Sequence, residues 1–415
     1  MKLVSKTISM KNRLIPSLLC VTALALSANA DPISPETRAA SKKLVRDAIA
    51  KGSVAGAAHL VIQHGKVVHL DSAGVADIET KQPFTEDTIV RIYSMTKPIT
   101  SVAAMALFEA GKFELDDPVS KYIPAFKKAK VFTGGKGNTR LGNPKRPLTV
   151  RDVFRHTTGY SYGGGKSLDA HKREGMRYHG TGAMWPPSMS IEKAAEALSR
   201  IPLLHQPGER FTYGYSTDLL GRLIEVWSGQ SLAEYMQESV LKPLEMRDTG
   251  FSVPEGNRDR FASCHTTRDG KLGIVDKNTT SRFNEGFEFL SGGGGLVSTI
   301  RDYGNFCQML ADRGTFKGRR ILKQSTIEEM FTDQLQDVPG KFRFGLGFAI
   351  KQVRIGTGDT ARDVTEYSWG GYASTNFRIV PDEGLSQVFL RQHVPSRHGL
   401  AGKAFPIVYR GIRTK

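Results

Sequence analysis

The sequence predicts an α/β fold of the α+β type: an antiparallel sheet built from both chain ends, flanked by helices, with a mostly helical domain inserted between them. Three observations carry this reading. β-rich runs lie near the start of the chain (56–74) and again near its end (342–394). The span between them reads in helical period, broken by Gly- and Pro-rich connections. The last two strand runs meet at Asp382-Glu383-Gly384, a tight turn that makes them antiparallel neighbours. With 415 residues, 39% of them hydrophobic, the chain has length and composition for one large domain or two modest ones.

The first thirty residues stand apart from the fold. Lys2, Lys6, Lys11 and Arg13 precede the apolar run LIPSLLCVTALALSA and then Ala28-Asn29-Ala30. That is a charged region, an apolar region and an A-x-A cleavage site, so residues 1–30 read as a signal peptide cleaved after Ala30, with Met1 or Met10 as the start. Leu19 precedes Cys20 where a lipidated cysteine would want a small residue. Outside the leader no stretch reaches 18 apolar residues, so the mature chain carries no transmembrane segment. The expected location is periplasmic or secreted.

After the leader, SPETRAASKKLVRDAIAKG has apolar residues at helical spacing, Ser34 and Glu36 at its start and Gly52 at its close. GAAHLVIQHGKVVHLDSAG is a hairpin turning at His64-Gly65. RIYSMTKPITSVAAMALFEAGK passes from a strand into a helix from Ser94 to Ala110, stopped by Gly111. In the middle, SIEKAAEALSRI, STDLLGRLIEVWSG and SLAEYMQESVLKPL are helical, with long loops such as TGGKGNTRLGNPKRP between them. FRFGLGFAIKQV, EYSWGGYASTNFRIV and GLSQVFLRQHV are strand runs that form a meander. The expected division is 31–114 with 291–415 as a discontinuous sheet domain, and 115–290 as the helical domain with long basic loops.

The charge excludes some functions and suggests others. The chain carries +17, and without the leader's four basic residues +13. Between Lys121 and Arg177, 14 Lys or Arg stand against Asp152, Asp169 and Glu174, so most of the excess lies in one segment. Such a run is first a solvated face, and second a rim that attracts anionic substrates or an anionic surface. No RRM, zinc-finger or helix-turn-helix pattern is present, so nucleic acid is not an expected partner. There is no CxxC or HExxH, and neither metal nor cofactor is called for. Past the leader two cysteines remain, Cys264 and Cys307, in a chain large enough to need no staple.

The candidate chemistry centres on Ser94 and Lys97. Ser-x-x-Lys occurs three times, but Ser190 reads as a helix N-cap before IEKAAEAL and Ser239 lies inside a helical run. Ser94 differs because a strand gives way there to a helix of small residues. Residues three apart share a helix face, so the Lys97 amine can lie beside the Ser94 hydroxyl, and a serine needs such a base to become a nucleophile. Gly159-Tyr160-Ser161-Tyr162-Gly163 matches G-x-S-x-G, yet that motif needs a strand before the serine and a helix after it. A helical pattern precedes Ser161 instead, and His156 in the same stretch is expected to fix a turn.

PGERFTYGYSTDLLG and YSWGGYASTNFRIVPDEG follow SMTK in that order, and with LDDPVSKYIPAF, LTVRDVFRHTTGY, SGGGGLVSTIRDYGNF and FGLGFAI they cover nearly all of the mature chain. In these stretches the sequence resembles the serine β-lactamase and penicillin-binding-protein superfamily, its class C-like branch and above all the family VIII carboxylesterases. The resemblance implies a β-lactamase/DD-peptidase-like fold, Ser94 as acylated nucleophile, Lys97 beside it and Tyr213 as base, with Tyr215 the competing tyrosine. It places Trp369-Gly370-Gly371 where lactamases carry Lys-Thr-Gly on a sheet edge strand, and makes the backbone N–H groups of Ser94 and Tyr372 an oxyanion hole. Trp369 in place of the motif lysine and Tyr215 in place of an asparagine exchange polar recognition for aromatic surface. The expected activity is therefore an exported carboxylesterase on short neutral acyl esters, with a small-molecule ester or amide as substrate. A β-lactamase, D-amino-acid peptidase or acyltransferase with the same site is the alternative, and a catalytically idle relative that binds cell-wall peptides or a partner protein is another.

Overall fold

The computed structural model describes residues 32–134, 139–163, 165–179, 182–186, 188–397 and 399–412. The signal peptide and cleavage site expected from the sequence lie outside the described residues. The sheet has seven antiparallel strands. Two come from the N-terminal hairpin, β1 (Gly56–Gln63) and β2 (Lys66–Gly74). Five come from the other end: β3 (Arg343–Phe344), β4 (Ala349–Ile355), β5 (Arg362–Gly370), β6 (Asn376–Val380) and β7 (Leu385–Arg391). Their spatial order is β3-β4-β5-β6-β7-β1-β2. The joint between the two chain ends is the β1–β7 ladder, in register from Ala57 opposite Arg391 to Gln63 opposite Leu385.

Both faces of this sheet are covered, which is why every residue of β1 and β7 is buried. Ala57, Val61, Leu385 and Phe389 face one way, into a core closed by α1 (Pro35–Ala50) and the C-terminal helix (Gly399–Gly411). Ala58, Leu60, Ile62, Val388 and Leu390 face the other way, into the larger core with Val102, Met105, Tyr303 and Phe306. That core holds three further helices: α2 (Thr96–Glu109), α5 (Ser216–Ser228) and α6 (Ile300–Ala311). α3 (Val150–Phe154) and α4 (Ile191–Arg200) line its far side. Ser34 caps α1 by accepting from the Thr37 amide at 3.2 Å, and Ser190 caps α4 by accepting from the Lys193 amide. Among the described residues no helix is long and apolar enough to cross a membrane.

Four details differ from the sequence expectation. EYSWGGYASTNFRIV is two strands, because the chain leaves the ladder after Gly370 and turns back through 371–375. The strand carrying Trp369 is interior, paired to β4 on one side and β6 on the other, rather than an edge. Past Ser368 the β4 pairing ends, so Trp369 and Gly370 pair only with Phe377 and Asn376 of β6. The helix expected from Ser94 begins as a 3₁₀ turn, Tyr93–Met95, and becomes α-helical at Thr96. The C-terminal helix, whose Tyr409 hydroxyl donates to Glu366 on β5, was not anticipated at all.

Buried imidazoles tie the layers together. His59 on β1 is fully buried between the Ser41 hydroxyl of α1, 2.8 Å from Nδ1, and the Gln387 side chain of β7, 3.2 Å from Nε2. Burial pushes His59 and His156 down to about 3, and His69 and His393 down to about 4. An unfolded histidine titrates near ~6.5, so the unfolded chain takes up protons below that pH while these four sites stay neutral. Their stabilisation is complete above ~6.5 and is lost as pH falls toward ~4. Asp302, pushed up to about 6 by burial, works the other way over ~4–6, as do Asp218 and Asp312, which burial also raises, but His205 and His265 are lowered by burial like the other four imidazoles. Urea midpoints measured from pH 7.5 to 4.5 are expected to fall steadily below ~6.5. A level profile would contradict neutral burial of these rings.

Candidate active site

Ser94 sits where the strand pair formed by Val90–Arg91 and Val297–Ser298 hands over to α2. Two bonds fix the handover: the Ile92 amide donates to Leu296 O at 3.1 Å, and the Tyr303 hydroxyl of α6 donates to Met95 O at 2.9 Å. Tyr93, immediately before Ser94, has φ +42, a region in which a bulky residue is strained. Its ring is held edge-on by Phe283 at 6.2 Å and Tyr372 at 5.8 Å between centroids. The turn therefore presents a half-buried Ser94 at the surface of the large core.

Lys97, one turn further, is 2% exposed. Its amine donates to Ser94 Oγ at 3.3 Å, Tyr162 Oη at 2.8 Å and Gly293 O at 2.5 Å. Tyr213 lies against the same amine by its ring face, centroid 4.7 Å from Nζ. Tyr213 Oη accepts from Trp369 Nε1 at 3.4 Å, and its ring packs on His156 at 5.1 Å. His156 itself has φ +56 in the turn after α3, and its carbonyl accepts from the Thr212 amide at 2.7 Å, which sets the chain leading to Tyr213.

Tyr162 was missed by the sequence reading. It lies in the G-x-S-x-G stretch, where attention went to the serine, yet it is the phenol and not Ser161 that meets the Lys97 amine. Ser161 Oγ accepts from the Gly163 amide two residues on, and no strand precedes it. Burial pushes the Tyr162 phenol well above its usual range, so it is protonated and takes the Lys97 hydrogen bond on its oxygen. The available signal was that a buried lysine needs acceptors, and SMTK alone supplies one. Tyr215 is 4% exposed and stands behind Tyr162, ring centroids 4.9 Å apart, with Trp185 and His171 on its other sides.

The end of β5 closes the site. Gly371 N donates to Thr375 O at 2.8 Å, and the segment lies directly on the Ile92 backbone. A Cβ at Gly371 would collide with the Ile92 carbonyl oxygen and the Thr375 hydroxyl, so only glycine lets the chain carry Tyr372 up against the Tyr93 ring. Among the described residues neither the Ser94 amide nor the Tyr372 amide has a hydrogen-bond partner. Trp369 packs edge-on against Phe344 at 5.2 Å, and Phe211, Phe342 and Phe344 continue the aromatic wall outward. Phe342 and Tyr372 are exposed. Among the described residues no three His, Cys, Asp or Glu side chains gather as metal ligands, and Cys264 and Cys307 are free and buried.

Comparisons with known proteins give the family and the fold. A family model described as Beta-lactamase matches residues 42–404. The chain belongs to the beta-lactamase family. It is 31% identical over 391 residues to Esterase EstB of Burkholderia gladioli, covering 89% of this chain and 94% of that one. Protein Rv1367c of Mycobacterium tuberculosis (strain ATCC 25618 / H37Rv) is 30% identical over 374 residues, covering 85% and 89% of the two chains. Among solved structures, EstCE1, described as a hydrolase with promiscuous acyltransferase activity, superposes with a TM-score of 0.75 at 24% identity, over 90% of this chain and 99% of that one. The protein is a serine hydrolase of β-lactamase fold.

Gly371→Ala tests the close approach of β5 to the Ser94 turn. The added methyl must push the two backbones apart, which costs about 1–3 kcal/mol for overpacking. A thermal midpoint several degrees lower is expected, together with a larger loss of hydrolysis than the stability change alone would give; unchanged hydrolysis would argue against the packing described.

Proposed function

We propose that the protein is an exported carboxylesterase that forms an acyl-enzyme on Ser94 and acts on short neutral acyl esters. The observation that carries this reading is the aromatic wall that starts at Tyr213 and Trp369 beside a serine hydrogen-bonded to a buried amine. Position 369 offers an indole rather than an ammonium, so a carboxylate on the substrate finds no partner there, whereas an uncharged ester loses nothing on entering. The name of Esterase EstB agrees with this choice.

In the proposed reaction the Ser94 hydroxyl attacks the ester carbonyl while Tyr213, beside the Lys97 charge, takes its proton. The developing oxyanion is received by the amides of Ser94 and Tyr372, each worth about 3–4 kcal/mol in such a role. The proton then passes to the departing alkoxide. Water enters and reverses the sequence, releasing the acid. Trp369, Gly370 and Gly371 hold the substrate alongside, and Tyr215 backs Tyr162 from behind. Export rests on the leader pattern alone, and the surplus of Lys and Arg over 121–177 is proposed to favour anionic surroundings.

Exposure to a fluorophosphonate followed by intact mass is expected to give one adduct in the parent and in Ser161→Ala, and none in Ser94→Ala. Tyr213→Phe should lower kcat by about a hundredfold or more, the scale of a lost general base, with its thermal midpoint retained. An adduct that persists in Ser94→Ala and vanishes in Ser161→Ala would move the nucleophile to the other serine.

The substrate class is tested by kcat/KM for p-nitrophenyl butyrate and a chromogenic cephalosporin, on the parent and on Trp369→Lys. The parent is expected to favour the ester by about 30-fold or more, the rate equivalent of a missing charge partner worth ~2–5 kcal/mol. Trp369→Lys should narrow the gap. A parent that prefers the cephalosporin would make this protein a β-lactamase instead.

A further inference from the structure

Lys97 is a cation inside the core, yet among the described residues no carboxylate pairs with it directly; its hydrogen bonds go to a hydroxyl, a phenol and a peptide carbonyl. The peptide carbonyl is that of Gly293, and the amide of the same residue is held from behind. Asp218, on the first turn of α5, is 5% exposed, and its Oδ1 accepts from Gly293 N at 3.1 Å and from Ser291 Oγ at 2.5 Å. A Cβ on Gly293 would stand 2.6 Å from Asp218 Oδ2, so the carboxylate packs flat against a backbone that only glycine leaves open. The order in space is Asp218 carboxylate, Gly293 peptide unit, Lys97 amine.

Resting on the reading that Ser94, Lys97 and Tyr213 carry the reaction, we infer that Asp218 is a positioning residue for Lys97. It fixes the Gly293 carbonyl toward the amine and supplies the counter-charge for a cation that the core otherwise leaves unbalanced. Two physical terms support this. A buried carboxylate is costly unless it is paired and hydrogen-bonded: burial raises the Asp218 carboxyl above its usual range, and the Lys97 charge, the Ser291 hydroxyl and the Gly293 amide act against that rise. The peptide unit between them is polarised by both charges, so its carbonyl is a stronger acceptor for Lys97 than a free one.

The charged and titratable groups facing this pair come from four parts of the chain. Tyr162 and His156 belong to the 155–163 stretch, Tyr213 and Tyr215 to the approach to α5, Ser94 to the turn before α2, and Ser291 to the glycine loop. Removing one negative charge from this group has a single sign. The Tyr162 and Tyr215 phenols lose a charge that disfavours their ionisation, and a neighbouring cation loses a charge that favours it, so loss of the carboxylate moves proton release at the site toward lower pH.

The test is the pH profile of kcat/KM for p-nitrophenyl butyrate on Asp218→Asn and Asp218→Glu. In Asp218→Asn both limbs are expected to move about one unit toward acid, with kcat lower by ~10-fold or more through misplacement of Lys97 and KM nearly unchanged. Asp218→Glu keeps the charge and is expected to restore the limbs to their parent positions while recovering only part of kcat. A merely structural role would lower the amount of active enzyme without moving either limb, and that result overturns the inference. Fluorophosphonate labelling is run in parallel. Unmoved limbs with Ser94 still labelled would sink only the role of Asp218, whereas labelling that survives Ser94→Ala would sink the underlying reading. Should Asp218→Asn not fold, Ser291→Ala removes one donor from the carboxylate and no charge; a severalfold lower kcat at unchanged KM is expected, and a kcat equal to the parent's overturns the inference.

Discussion

A lysine amine that is 2% exposed in the first turn of a helix rich in small and apolar residues has to be supplied with acceptors, and the site is the set of groups that do so. Taking an ammonium out of water costs several kcal/mol even after relaxation, and the turn that leads into α2 offers only the Ser94 hydroxyl. The remaining acceptors arrive from the 155–163 stretch as Tyr162 and from the glycine loop as Gly293. The loop is pinned in turn by Asp218 on α5 and by the strand pair that leads into Ser94. Each of these segments is placed by a different part of the large core, so the amine is satisfied only when the sheet, the Tyr162 loop and α5 are all docked. The constraint that makes the site chemically useful is also the one that makes it cooperative with the fold.

How much of this could be read from the chain follows from what kind of interaction sets each part. The hairpin at 56–74, α1 with its Ser34 cap, and Ser190 as a cap rather than a nucleophile are governed by local patterns, and the structure agrees with them. The Ser94–Lys97 contact is also local, because three residues of helix bring the two groups together. Tyr162 and Asp218 are set by contacts that no spacing rule encodes. Tyr162 is 65 residues from Lys97, and Asp218 meets Gly293 75 residues away. The second strand in EYSWGGYASTNFRIV was hidden for a related reason: Gly371 is there for its approach to Ile92, and a glycine in a strand-like run does not say whether the strand continues or turns. Ser161 shows the converse. Its motif was complete in sequence and was set aside because the surrounding elements were wrong, and the structure gives it a local turn.

The aromatic wall deserves to be seen as one continuous surface running from the amine to solvent. It starts with the Tyr213 face on Lys97, passes to Trp369 and Phe344, and reaches Phe211 and Phe342 at the outside. Offset and edge-on ring contacts of this kind add about 0.5–1.5 kcal/mol each beyond the area they bury. The wall therefore stiffens the loop that carries Tyr213 while it shapes the space next to Ser94, and a change at its outer end reaches the site through ring packing rather than through the backbone.

The β1–β7 ladder has a bearing on how the chain is made. His59 and Gln387, whose side chains hydrogen-bond across it, are 328 residues apart in sequence. At roughly 5–20 residues per second of synthesis, about 15–65 s separate the emergence of one from the other. Through that interval β1, every residue of which ends up buried, has only β2 to lean on. A two-stranded hairpin is marginal in water by itself, so the emerging chain remains unlocked and threadable until its final strands exist, and a ribosome that stops short of β7 leaves behind an adhesive apolar edge instead of a smaller stable protein.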